Sequence, residues 1–315
     1  MRICLLFLLT LLLCICTGCG GTTIVWRDSA AVGRAPYAVD LSTGERHSAC
    51  PMPNCTHQVS SCAFHRLRGE MLADGSRLVY FAAEDGTLSG RLDSLHLYDA
   101  DGGTDTLLLT VPGGELRLAA EGWIYYDVPI PLSDGYTTFR ISANGGEPES
   151  IRADKWRLVD IEGGRMLWES TDGLQYEEKA YAVESDKCAL SGGKIYYLRS
   201  RDLAEKALPL ARTFDGRELH VIDPKTGKDE FIASAGDFIL ADGELYYTSA
   251  AGVIVNRAGK TVCDLTPLVI GGLLAAEDGK LALSASGTLN SVTVNAADTV
   301  IADIASGSAR LVRAG

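Results

Sequence analysis

The chain has 315 residues, with 29 Lys and Arg against 41 Asp and Glu, a formal net charge of −12. Hydrophobic residues make up 46%, ample for a core, and no basic run occurs. That balance excludes nucleic acid as a partner, because phosphate contacts need clustered Lys and Arg.

Residues 1–19 read as a targeting segment and not as fold. Arg2 is a short positive region. The apolar run from Ile3 to Ile15 is too short to cross a membrane. Cys16-Thr17-Gly18-Cys19 follows it and resembles a bacterial lipobox, which makes Cys19 the candidate lipidated residue. Cys16 stands where such signals usually carry Leu. The alternative is an ordinary secretory signal cut nearby. Two acyl chains on Cys19 would give stable membrane anchoring. The expected location is therefore the outer face of the cell membrane, with residues 20–315 as one domain.

From residue 20 onward one phrase keeps returning. A short hydrophobic arm meets a tight turn, and a second arm rich in Tyr follows. Its clearest copy runs from Phe238 through Asp242-Gly243 to Tyr246-Tyr247. Others turn at Glu121-Gly122 and Gly192-Gly193. Asp-Gly and Gly-Gly between such arms signal hairpins, because primed turns need positive φ. Asp-Gly also occurs at residues 74–75, 85–86, 101–102, 134–135, 172–173, 215–216 and 278–279. No later stretch keeps a helical apolar period for long. A second hairpin follows each Tyr arm, as at Val221-Ile222-Asp223-Pro224-Lys225-Thr226-Gly227. Two hairpins in succession make a four-stranded antiparallel meander.

The second arms centre near Trp26, Tyr80, Tyr126, Trp168, Tyr197, Tyr247 and Leu283. The mean spacing is about 43 residues, the size of a propeller blade. The expected fold is an all-β propeller of four-stranded antiparallel blades, seven in number within a range of six to eight. Radial stacking lets such blades bury each other's faces. The chain is expected to be a monomer.

In chain order, residues 20–49 make a partial blade that lacks an innermost strand. Ala309-Arg310-Leu311-Val312 is expected to complete it and join the ring's ends. Residues 50–65 form a Cys/His loop with the pattern C-x4-C-x-H-x4-C. Cys50, Cys55, His57 and Cys62 can supply a tetrahedral set for one structural zinc, and four protein ligands would close the site. A disulfide is the alternative in an oxidising compartment, and free thiols are the third reading. His47 and His65 are spare ligands nearby.

Blades then follow over residues 66–113, 114–153, 155–184, 187–232, 235–265 and 268–312. Asp99, Asp101 and Asp105 have some calcium-loop character, although a hairpin turn explains them equally. The stretch from Ser200 to Arg217 is a long excursion, read as a surface loop or short helix. Cys188 and Cys263 read as buried thiols that behave as small hydrophobes. The Tyr and Trp pairs read as packing between blades rather than as a ligand-stacking set.

The lipobox, the Cys50-x4-Cys55-Thr56-His57-x4-Cys62 cluster and the Leu-Tyr-Tyr arms together resemble a group of lipoproteins from Gram-positive anaerobes. Those carry a β-propeller of the DUF5050 and low-density-lipoprotein-receptor-related types. The receptor signature Tyr-Trp-Thr-Asp is not present intact. The resemblance implies a propeller fold and a surface location, and no activity.

The leading functional expectation is a lipid-anchored cell-surface module that binds a protein, peptide or glycan. The sequence holds no G-x-S-x-G, H-E-x-x-H or phosphate loop. One rival is an extracytoplasmic glycan hydrolase or lyase whose carboxylates come from different blades. Another is a metal- or redox-responsive surface component built on the Cys/His loop.

Overall fold

A computed structural model of the chain describes residues 24–27, 37–48, 50, 62, 64, 67–74, 77–83, 92–99, 103–200, 217–241, 243–250 and 252–313. Among these residues there is no helix, and the strands make seven antiparallel sheets. The first sheet is β1–β3 (Ile24–Arg27, Tyr37–Asp40, Arg46–Ser48). The second is β4–β7 (Leu67–Asp74, Arg77–Ala83, Leu92–Asp99, Thr104–Pro112). The third is β8–β11 (Glu115–Ala120, Trp123–Pro129, Tyr136–Ser142, Glu149–Asp154). The fourth is β12–β15 (Arg157–Glu162, Arg165–Ser170, Gly173–Tyr176, Lys179–Tyr181). The fifth is β16–β19 (Lys187–Ser191, Lys194–Ser200, Arg217–Asp223, Lys228–Ser234). The sixth is β20–β23 (Phe238–Ala241, Glu244–Ala250, Val253–Asn256, Thr261–Asp264). The seventh is β24–β28 (Val269–Glu277, Lys280–Leu289, Val292–Val294, Thr299–Asp303, Ala309–Val312). Each is a meander of sequential neighbours, except that β26 folds back on the end of β25 alone. This is a seven-bladed β-propeller.

The hairpins between first and second strands are tight for a local reason. Glu121 and Gly122 lie at φ 53° and 79°, and the Gly192-Gly193 turn likewise has both residues at positive φ. Those values suit a primed turn, whose twist matches the flanking strands.

Side-chain alternation in the second strands then builds the core. Successive residues of a strand point to opposite faces of its sheet, so each Tyr pair is divided between two seams. Tyr126 packs with Val79, Phe81 and Leu95 of the preceding blade, whereas Tyr125 packs with Leu158 and Trp168 of the following one. Tyr197 joins Leu167, Leu174 and Tyr176 behind it, and Tyr196 joins Phe238, Leu245 and Val255 ahead. Tyr247 and Leu283 repeat the backward-facing role. Six apolar clusters fill six seams in this way, and a seventh packs Cys50, Cys62 and Phe64 on the second blade. The reading of the Tyr pairs as inter-blade packing matches this arrangement.

Ring closure differs from the sequence expectation. Ala309–Val312 does not enter the first blade; it pairs with β27 as the outer strand of the last, Val300 facing Leu311. The cause is local. Asp303 Oδ1 accepts from the Ser306 amide at 2.8 Å and its hydroxyl at 2.9 Å, and Gly307 sits at φ 66°. That turn returns the chain onto β27 before a distant partner can compete. First and last blades meet instead through side chains. Tyr37, Val39 and Leu41 pack on Ala282, Ile301 and Val312. The Tyr37 hydroxyl donates to Ala297 O at 2.5 Å. Arg310 donates to Thr43 O at 2.5 Å and to Ser42 O at 3.1 Å.

Candidate functional site

The two ends of the ring differ. In the second to seventh sheets the first and second strands are joined by two-residue connections, such as residues 163–164 and 278–279. The opposite end carries the blade-to-blade connections and the links between second and third strands. There the chain spans residues 84–91, 130–135 and 201–216 between paired strand ends. Neighbouring blades are in phase. Arg157 meets Glu115 at the starts of two first strands, and Gly164 N meets Glu121 Oε1 at 3.3 Å at their ends. The long connections of successive blades therefore share one face, where binding loops of propellers sit.

A charged cluster lies at that face where blades three, four and five meet. The Arg157 guanidinium makes a two-point contact with Glu115, both N···O distances 3.2 Å, and lies 4.0 Å over the Tyr136 ring. Arg117 Nε donates to Leu158 O at 3.2 Å. The same group stands 3.5 Å from Asp127 Oδ2, and its Nη2 stands 3.6 Å from Glu169. Beside them, Arg152 stacks 4.8 Å from Trp168 and 5.6 Å from Trp156, held by Asp154 at 2.6 Å and Gln175 at 2.9 Å.

Burial decides the proton affinities here. Asp127 is fully buried, and its Oδ2 accepts no hydrogen bond among the described residues. Burial raises its pKa, against the Thr138 hydroxyl bonded to Oδ1 at 2.6 Å and the Arg117 charge. Glu169 is also raised by burial, against Arg117 and Arg157, and its side chain keeps 34% exposure. Glu169 is thus a solvent-reaching carboxylate with raised proton affinity beside two guanidinium groups. Burial pushes the neighbouring Cys188 thiol up to about 12, which makes it a poor nucleophile.

Other acids that could have been catalytic are occupied by backbone. Asp160 accepts from Leu190 N of the next blade at 2.6 Å and from Ile161 N at 2.8 Å. Glu162 takes Gly192 N and Gly193 N of the next blade's turn at 2.6 and 2.7 Å. Asp237 ties three blades: Lys187 Nζ at 2.7 Å, Phe238 N at 2.9 Å and Leu273 N at 2.7 Å. These carboxylates satisfy amides that would otherwise be orphaned at the seams. In sequence they read as turn residues, and only the phase of neighbouring blades shows whom they serve. The pairing of Arg117 with Glu169 is equally silent in sequence.

On the opposite face a groove of 520 Å³ runs between blades six and seven, lined by Glu244, Tyr246, Asn256, Lys260 and Ser306. Asn256 Oδ1 is taken by the amides of Ala258 and Lys260, each at 3.1 Å, and Ser306 Oγ by Asp303. Its polar groups serve the turns that carry them.

Cys19, Cys55, His57 and His65 lie outside the described residues, as do Asp101 and residues 201–216. The fold brings Cys50 and Cys62 together, Sγ to Sγ 3.9 Å, both buried. Asp105 is engaged by His96 Nδ1 at 3.0 Å, which fits a hairpin residue better than a calcium ligand. Cys188 and Cys263 form no disulfide. Among the described residues no helix is long and apolar enough to cross a membrane.

No family model matches the chain, and no curated protein matches it. Solved structures do. A prolyl endopeptidase aligns over 88% of this chain at 12% identity and TM-score 0.56, and the chain spans 46% of that protein's length. The β-propeller domain of the Trilobed protease from Pyrococcus furiosus, reported to have an open velcro topology, aligns over 78% of this chain and 84% of its own. Its identity is 12% and its TM-score 0.53. Identity that low speaks for fold alone, and the fold that these likenesses and the chain's own seven sheets establish is the β-propeller.

Proposed function

We propose that this propeller is a binding module whose ligand, a protein, peptide or glycan, sits on the face of long connections. The observation that carries the reading is the asymmetry of the ring. The connections of one face run to at most six residues, while the other combines the longer spans 84–91 and 201–216 with a part-exposed cluster of Arg157, Arg117, Glu169, Arg152 and Trp156. Arginine with aromatic partners is the composition that anchors interfaces. On this reading the sequence around Cys19 supplies a lipid tether that holds the module at the outer membrane surface.

The test is an array of peptides and oligosaccharides probed with the full chain. Retained spots should fade at least tenfold with Arg157→Ala and with Glu169→Gln. Lys225→Ala, in a turn of the opposite face, should change nothing. Spots that ignore both cluster variants would overturn the assignment of this face.

A second reading rests on Glu169. A solvent-reaching carboxylate with raised proton affinity is suited to acid–base work in a glycan hydrolase or lyase. Turnover of a polysaccharide panel, lost in Glu169→Gln, would favour it over simple binding.

A further inference from the structure

We propose that Leu132 is the apolar anchor by which the long-connection face docks a partner protein, one whose surface offers a pocket for a single branched aliphatic side chain. The inference rests on the reading of that face as the binding face. Leu132 lies in the connection from β9 to β10 and is fully exposed. Leu107 and Phe231, the next most exposed large apolar side chains among the described residues, reach only 55% and 51%. Leu132 also sits at φ 61°. Five other described residues besides glycine adopt positive φ: Glu121, Glu177, Asp278, Asn290 and Ser291. All five are polar and stand in two-residue hairpin turns, whose twist suits that conformation. Leu132 is the apolar member of the set and stands in a longer connection.

Local chemistry makes that placement costly. Ser133 N donates to Ile130 O at 3.2 Å, with Pro131 second and Leu132 third in the turn. This is the pattern of a type II turn, whose third position calls for glycine or asparagine. A leucine there carries backbone strain and leaves its apolar surface in water. The rest of the loop holds it rigidly. Ile130 N donates to Gly135 O at 3.0 Å, and Gly135 N donates to Ser133 Oγ at 3.0 Å. Gly135 packs so closely that a Cβ there would stand 3.2 Å from Asp154 O. A knob held this way loses little freedom on docking. Being fully exposed, the Leu132 side chain packs against nothing in the fold. Strain and exposure together therefore point to a contact outside the chain.

The neighbours select a protein as the occupant. Tyr136 opens β10 just beyond the loop and lies under the Arg157 guanidinium at 4.0 Å. Asp154, opposite Tyr136 in the sheet, holds Arg152 at 2.6 Å. An apolar knob flanked by arginines on aromatic rings is the composition of an interface hot spot. Glu115 and Asp154, which pair these arginines, are 49% and 38% exposed, and such surface pairs contribute little. A carboxylate on the rim of the partner's pocket can therefore share Arg157 and Arg152, so charge complementarity favours an acidic rim. A glycan has no pocket in which to bury a leucine. A membrane surface is disfavoured, because one leucine is too little apolar surface for stable binding. A chain of net charge −12, with Asp134 beside the knob, is also repelled by anionic headgroups.

The experiment reconstitutes the full chain in nanodiscs and probes it with a phage-displayed library of protein fragments from its own organism. Each retained fragment is sequenced, purified and titrated against parent and variants. Leu132→Asn should weaken a retained fragment roughly tenfold to a hundredfold, the effect of losing one buried leucine. The same variant should melt at the parent's temperature or slightly above it, since asparagine tolerates positive φ. Lys225→Ala, on the opposite face, should change neither. Fragments weakened by Arg157→Ala but not by Leu132→Asn would overturn this inference and leave the binding face standing. Fragments that ignore both variants would overturn both readings, and a library that yields no fragment would overturn the protein partner. A melting temperature several degrees lower in Leu132→Asn would make the leucine structural and sink the proposal. So would a Leu132→Trp ring quenched by brominated lipid in the nanodisc, which would assign the loop to the membrane.

Discussion

Replacing Asp237 by Ala should loosen three blades at once. Its Oδ2 accepts the Leu273 amide at 2.7 Å, and its Oδ1 accepts the Phe238 amide at 2.9 Å and Lys187 Nζ at 2.7 Å. Leu273 is 5% exposed and Phe238 1%, so neither amide finds water once the carboxylate is gone. A buried donor stripped of its acceptor costs about 1–3 kcal/mol. The Lys187 pair adds little, about 0–1 kcal/mol, because that lysine is 39% exposed. The sum is a loss of about 2–7 kcal/mol, or roughly 3–11 °C in melting temperature for a chain of this size. Asp237→Asn keeps one side-chain oxygen and should lose about half as much. Lys155→Ala, which removes the exposed Lys155–Asp172 pair, should stay within about 0.5 kcal/mol of the parent. Urea unfolding of the three variants beside the parent decides it. An Asp237→Ala midpoint indistinguishable from that of Lys155→Ala would refute the view that seam carboxylates hold the ring.

Deleting residues 308–315 removes β28, the Arg310 contacts to the first blade and buried Val312. Stability should fall by roughly 3 kcal/mol or more, and an unchanged melting temperature would contradict closure at this seam. Burial keeps Asp127 protonated to higher pH in the folded chain than in the unfolded one. The folded state therefore binds more protons as pH rises above the ordinary carboxylate range, and stability falls through that window. Asp127→Asn cannot ionise and should flatten part of that decline above the ordinary carboxylate range. Glu169 and Asp160, shifted in the same direction, account for the remainder; a steeper decline in the variant would reverse the assigned sign. Cys188, with its thiol held near 12, should resist iodoacetamide at pH 8 in the folded chain and react once urea unfolds it. Peptide mapping reads both states, and rapid native labelling would show the thiol to be accessible and acidic.

Much of this protein was determined by residue order alone. Paired turn residues such as Gly192-Gly193, with alternating arms on either side, made the hairpins of six full blades and one partial blade legible, because turn geometry and strand period act over a few residues. The same alternation assigned Tyr125 and Tyr126 to opposite sheet faces. Cys50 and Cys62 could be read as partners from type and spacing, but their 3.9 Å approach could not. Tertiary structure alone decided where the ring closes, since the Asp303–Gly307 turn carries Ala309–Val312 onto β27 rather than to the first blade. It alone decided which acids are structural, because Asp160, Glu162 and Asp237 bond amides of the neighbouring blade. It alone brought Arg117 to Glu169. Local backbone preferences write themselves into short stretches of sequence. Contacts between blades depend on the relative phase of whole sheets, which no short stretch encodes.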